Sequence, residues 1–294
     1  MKTSMTSNWR LPSRGLFLFL IAIAAIWAIP KIVCAQLYVT NRPGGGNAVV
    51  SEYDAITGAR INLHFITCQT NEIGFGLALS NNTLFVTDQS GFVAKYDATT
   101  GAAINANLIK GLSVPKGLVL LDNILFVANG SSGTVGKYDA GTGDAINPSF
   151  ITGLNQPEGL ALLGNTLFVA NFRSNTVGKY DAKTGAATNP DFITELNEPT
   201  GLALSGNRLF VANFGVGAST ISEYDATTGE MINAYFITGL SAPKELALLG
   251  NTLFVTNSGD GTVGAYDATT GVAIKADFIT GLQFPFGIAV KNTK

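Results

Sequence analysis

Two positions recur along this sequence with side chains that could hold a ligand. The first ends a run of the Leu-Phe-Val-Ala-Asn type and reads Asn41, Asp88, Asn129, Asn171, Asn213 and Asn257. A ring of such oxygens could ligate a hard cation such as Ca2+, which takes roughly 6–8 oxygen ligands. The same residues could instead cap their own turns through the side chain. Their near-uniformity fits capping, because a site usually needs different residues at different places. The weak metal candidates are Asp88, Asn129 and Glu158, and Asp88 brings the first ring its one carboxylate.

The second position precedes a glycine and reads Phe286, Phe75, Lys116, Glu158 and Thr200; a sixth copy has Lys244, followed by Glu245 in place of the glycine. This position varies, as a site would. Glu158 among lysines makes a poor divalent site. The lysines fit an anion- or carbohydrate-binding pocket as donors, or a charge-balanced rim with no ligand. Aromatic residues break the repeat near the same place. Phe172-Arg173 and Phe214 stand where other copies carry Gln89, Gly130 and Ser258, and Phe75, Phe284 and Phe286 gather where the chain would close. They fit either a contact surface for a protein or carbohydrate partner or a plug.

Other chemistries lack their parts. His64 is the one histidine and precedes Phe65 on an outward strand. A Ser-His-Asp triad or a histidine-rich zinc site needs a histidine in the cleft. Cys68 stands where Gly153 and Gly281 stand in other copies, with no basic neighbour in sequence to activate its thiol. No catalytic residue is assigned, no cofactor is expected beyond a Ca2+ option, and the reading leans away from an enzyme.

The elements that must position these residues follow a period. Tyr-Asp recurs at Tyr53, Tyr96, Tyr138, Tyr180, Tyr224 and Tyr266, spaced by 43, 42, 42, 44 and 42 residues. A period of about 40–45 with strand-like content signals a β-propeller with four strands per blade. In one copy, residues 159–163 form a short apolar inner strand and residues 166–171 a β-branched and aromatic second strand. Residues 176–182 alternate as the third, and residues 186–194 hold the fourth, with Phe192 able to pack between blades. Gly-Asn links the first two strands as a tight hairpin. Asp-Ala-Lys-Thr-Gly links the last two, with the Asp bonding turn amides and the Gly taking positive φ. The first copy begins at Leu37 with no inner strand before it, and the last is followed by residues 286–290 with no second strand after them. The C-terminal strand should therefore complete the first blade, giving an all-β, six-bladed propeller over residues 36–294 with no open edge between first and last blade.

Residues 1–35 differ. A basic start (Lys2, Arg10, Arg14), an apolar run over residues 16–29 and Val-Cys-Ala before Gln36 read as a secretory signal peptide. Its run is short for a membrane span of about 20 residues, so a membrane enters only if the segment stays uncleaved as an anchor. Its loss would remove four basic residues and no acidic ones, taking the net charge from −2 to −6. Nothing basic would then attract nucleic acid, and Cys68 alone could form no disulfide within the chain. The reading is an exported, periplasmic or extracellular protein.

The pattern Pro-x-Gly-Leu-Ala-Leu, Leu-Phe-Val-Ala-Asn, Thr-Val-Gly-Lys-Tyr-Asp-Ala resembles the NHL-type six-bladed propellers over about residues 37–290, and Leu-Tyr-Val-Thr-Asn is similar to the YVTN group. A more distant resemblance, to the gluconolactonase group, would imply metal-binding carboxylates and amides at the channel mouth. This chain departs from that set by its lysines and phenylalanines. The resemblance is specific for architecture and weak for function, since this fold hosts enzymes and binding modules alike. The expected function is a non-enzymatic binding or scaffold module using its channel-mouth loops. The alternatives are a gluconolactonase-type metal-dependent hydrolase and a repeat-built surface or matrix protein.

Overall fold

Six four-stranded antiparallel sheets form a ring, a six-bladed β-propeller. The structure, a computed structural model, describes residues 35–68, 76–215 and 219–292. The leader segment (but for Ala35) and the candidate Phe75 lie outside the described residues. Blade four shows the common plan: Pro157–Leu163 innermost, then Thr166–Asn171, Thr176–Asp181 and Ala187–Ile193 outward. No helix among the described residues is long and apolar enough to cross a membrane.

Second strands are buried on both faces because each blade lies between two others. Leu167 and Phe168 point to opposite faces, and both are fully buried. The core is accordingly divided into layers between blades. One layer joins Phe168 and Phe192 of blade four to Leu209, Val211 and Tyr224 of blade five. Phe192 packs on Phe168 with ring centroids 5.5 Å apart, and Phe236 on Phe210 and Phe278 on Phe254 repeat that pair. The outer phenylalanine does pack between blades, as its place in the repeat suggested.

The closing strand is Ile288–Lys291, which pairs antiparallel with Gln36–Asn41, Val39 opposite Ile288 and Gln36 opposite Lys291. Its regular register begins two residues later than the apolar run suggested, although Phe286 and Gly287 already bond to Thr40 as they enter the blade. The turn chemistry matches its sequence. Asp181 Oδ1 accepts from the amides of Lys183 (3.0 Å) and Thr184 (2.8 Å), and Gly185 has φ +78°. The amides of Thr184 and Lys183, with the Thr184 hydroxyl, hold the Asp181 carboxyl below its ordinary range.

A second network ties blade to blade near these turns. Lys95, Lys137 and Lys179 each send the ammonium across to turn carbonyls of the next blade, such as Lys137 to Ala182 (3.3 Å) and Lys183 (3.2 Å). Blade five, with Glu223 in the lysine position, uses Arg208 on Ala268 and Thr269, and blade one uses Lys291 on Ala98. Blade six carries Ala265 at that position, which has nothing to donate to blade one. Five junctions are thus stapled by a cation, and that between blades six and one lacks the equivalent residue.

Candidate functional site

The inner strands meet around the axis through their glycines. A Cβ on Gly117 would lie 2.5 Å from the Glu158 carbonyl, and one on Gly76 2.6 Å from the Lys116 carbonyl. Only glycine permits this approach of backbone to backbone. Hydroxyls help fix it: Thr87 Oγ1 donates to the Lys116 carbonyl (2.9 Å) and Thr256 Oγ1 to that of Phe286 (2.7 Å). The residue before each glycine is thereby held where neighbouring inner strands meet.

Lys116, Glu158, Thr200, Lys244, Glu245 and Phe286 line one small cavity at this point. Its volume is about 10 Å³, room for about one water. Lys116 Nζ lies 3.6 Å from Glu158 Oε1. Burial lowers the Lys116 ammonium, and Glu158 partly offsets the shift. Lys244 Nζ sits 3.5 Å from the Phe214 ring centroid and 5.3 Å from that of Phe286. Burial brings its pKa down to about 8, with Glu158 opposing and Lys116 reinforcing. Glu245 retains some surface in the cavity but is otherwise enclosed, so loss of hydration, then the nearby Glu158, pushes its carboxyl up to about 8. At neutral pH Lys244 therefore keeps most of its charge and Glu245 is largely protonated.

The aromatic candidates divide. Phe172 is 7% exposed and its ring packs tilted against the half-buried Phe214, centroids 6.1 Å apart. These two pack together beside Lys244 rather than stand free in solvent. Arg173 is exposed, lies over Phe172 at 5.3 Å and donates to Gln156 Oε1 at 3.1 Å. Phe284, grouped in the sequence with Phe75 and Phe286 as a contact-surface or plug aromatic, is the exposed one at 60%.

Phe284 belongs to a ring that sequence reasoning missed. Val114, Gln156, Glu198, Ala242 and Phe284 each precede a proline and each have φ between +49° and +52°. Residues before proline ordinarily take extended backbone, and non-glycine residues seldom enter the left-handed region. The Val114, Gln156, Glu198 and Ala242 carbonyls accept the amides of Gly130, Phe172, Phe214 and Ser258, which ties each residue to the loop leaving the second strand. Five unlike residues, each beside a different inner strand, are thus held in one strained pose. A sequence signal existed in the repeated x-Pro pair, but it indicates the opposite conformation.

The asparagine ring sits deeper. Asn129, Asn171 and Asn257 donate through Nδ2 to Thr134, Thr176 and Thr262 at 3.2–3.4 Å within their own blades. Asn41 donates to Ser51 instead, and Asn213 to both Thr220 and Ser222. Asp88 Oδ1 accepts from Ser90. The buried Oδ1 atoms of Asn129, Asn171 and Asn257 have no hydrogen-bond partner among the described residues. Their blades carry Gly136, Gly178 and Gly264 where Ser51 and Ser222 stand elsewhere. No three His, Cys, Asp or Glu side chains come together to hold a metal ion among the described residues. His64 is exposed on the outer strand of blade one, and burial pushes the Cys68 thiol up to about 12, with Asp88 adding to the shift.

A family model described as outer membrane protein assembly factor BamB matches residues 46–275, and the chain belongs to that family. No curated protein matches it. Among solved structures, the chain is similar to one titled as a nidogen/laminin complex, with a TM-score of 0.75 and 14% identity over 88% of this chain and 99% of that one. It is also similar to a computationally designed protein, Ika8, with a TM-score of 0.52 and 19% identity over 87% of this chain and 75% of that one. Identities this low speak for the fold alone.

Proposed function

We propose that this chain is an exported, non-enzymatic propeller that binds a protein partner through the loops at its channel mouth. The observation that carries the reading is Phe284, 60% exposed and held at φ +49° in the strained ring beside Phe286. An exposed aromatic fixed in a strained pose has already met part of the ordering cost of an interface contact. The family's description, an outer membrane protein assembly factor, agrees with partner binding. The leader pattern of residues 1–35 supports export.

The centre behind the mouth argues against the hydrolase alternative. A volume of about 10 Å³ does not admit a lactone ring, and Lys116 and Lys244 beside Glu158 oppose entry of a divalent ion. Purified protein with Ca2+, Zn2+ or Mn2+ should turn over no lactone or ester; turnover that is lost in Glu158→Gln would restore the enzyme. A carbohydrate partner has one observation in its favour. Blade three carries Gly130 where blades four and five carry Phe172 and Phe214, which leaves a polar hollow of about 450 Å³ lined by Ser131, Ser132, Asn155 and Gln156.

The test is quantitative co-purification from the native host, comparing the wild type with Phe284→Asp at the mouth and Ile104→Asp on the outer edge of blade two. A partner depleted at least tenfold by the first change and unaffected by the second supports the mouth. Equal recovery in all three sinks it.

A further inference from the structure

The departures from the repeat do not all fall at the mouth. Two of them converge on the junction between blades six and one. Arg60, opposite Tyr53, stands where the other blades carry Ala103, Ala145, Ala187, Met231 and Ala273. Lys275, opposite Ala265, stands where the others carry Asn62, Asn105, Asn147, Asn189 and Asn233. Each substitution brings in a cation, one from each blade, and both side chains line the same cleft.

The cleft is large as well as charged. Its volume is about 410 Å³, against about 130 Å³ for the corresponding cleft between blades four and five. The larger value is in the range of small-molecule sites. Tyr53, Leu63 and Phe278 give it apolar wall, and Gln283, whose Oε1 accepts the Gly44 amide at 3.0 Å, closes one end. Asp277 is its one lining carboxylate.

Lys275 also stands at a local disadvantage. Asn62, Asn105, Asn147 and Asn233 each accept the amide two residues on, at 3.0–3.1 Å, and a lysine cannot accept. Nor does Lys275 act as the missing staple: its Nζ lies 6.0 Å from the Phe278 centroid, against 4.6 Å for Lys137 on Phe150 and Lys179 on Phe192. No described hydrogen bond runs from it to the blade-one turn. A backbone-capping asparagine and an inter-blade staple are both given up at the one junction where two cations face a ligand-sized cleft.

We propose that this cleft binds a small oxyanion-bearing molecule through Arg60 and Lys275, with its body against Tyr53, Leu63 and Phe278. Arg60 offers a planar fork of donors suited to a carboxylate or phosphate, and Lys275 a point charge opposite it. The oxyanion could belong to a free sugar acid or to an acidic side chain of a protein. The site is separate from the channel mouth and stands whether or not the mouth binds a partner.

The test is a backbone-amide NMR titration of the mature protein with D-glucuronate, N-acetylglutamate and inorganic phosphate, with D-glucose as the neutral control. Expected are saturable shifts among residues 58–63 and 275–283 for at least one oxyanion, with D-glucose inert. Arg60→Ala and Lys275→Asn, both at exposed positions, should each weaken binding about tenfold or more. Tighter binding of glucuronate than N-acetylglutamate assigns a sugar acid, and the reverse order assigns an acidic side chain. No saturable shift with any oxyanion, equal affinity in both variants, or an equal response to D-glucose overturns the proposal.

Discussion

Replacing Ala265 by Lys and Lys275 by Asn together should stabilise the ring, because the pair rebuilds at the last junction what the other blades have. The new ammonium would reach the Ala55 and Ile56 carbonyls as Lys137 reaches Ala182 (3.3 Å) and Lys183 (3.2 Å), resting on Phe278 as Lys137 rests on Phe150 at 4.6 Å. Charge-assisted hydrogen bonds contribute roughly 1.5–3 kcal/mol, and these are part-exposed and take the low end. Ordering a lysine costs about 1–2 kcal/mol. The restored asparagine cap adds about 0.5–1 kcal/mol. The net gain is about 1–2 kcal/mol, or a rise of about 2–6 °C in Tm for a domain of this size. Differential scanning calorimetry measures it, with Lys137→Ala as the converse. A double variant that melts with or below the wild type, beside a Lys137→Ala variant that melts unchanged, would show that the staples add nothing.

Gly185→Val should destabilise by about 1–3 kcal/mol in urea melts, since valine is forced to φ +78° against the Phe150 carbonyl; a loss under a few tenths would contradict the turn. Deleting residues 285–294 should leave the protein unfolded or aggregated, because Gln36–Asn41 loses its inner partner and becomes an edge; a truncated chain that melts like the parent would place closure elsewhere. Glu245→Gln should remove a pH dependence. With the folded carboxyl at about 8 and the ordinary value at 4.5, the folded state holds a proton that the unfolded state releases between those limits. Wild-type stability should therefore fall as pH rises through that window and the variant's should not; parallel curves from chemical denaturation would refute the assignment.

The blades were legible because their signals are local: an apolar run, a β-branched run, an alternating run and an Asp-to-Gly turn, repeated at one period. Closure was legible because an unmatched second strand at Leu37 and an unmatched inner strand near Ile288 need each other. The staples were not. The roles of Lys95, Lys137 and Lys179 depend on the neighbouring blade's carbonyls, 45–47 residues away, which no single copy of the repeat displays. The strained ring was hidden for another reason. Local sterics extend a residue before proline, and at Val114, Gln156, Glu198, Ala242 and Phe284 the ring geometry overrides them. Lys116, Glu158, Lys244 and Phe286 were brought together as their shared slot in the repeat implied. Phe172 lies buried under Arg173 and against Phe214, the latter a contact between adjacent blades that one copy of the repeat cannot display.

The central claim is that the strained mouth, and not the outer edge, meets a protein. Site-specific photo-crosslinking in living cells tests it most directly, with the photoreactive residue placed in turn at Phe284, Phe214 and Ile104. The account predicts one discrete protein adduct from positions 284 and 214 and none from 104. An adduct of equal yield from 104, or none from 284 while 104 reacts, would contradict it.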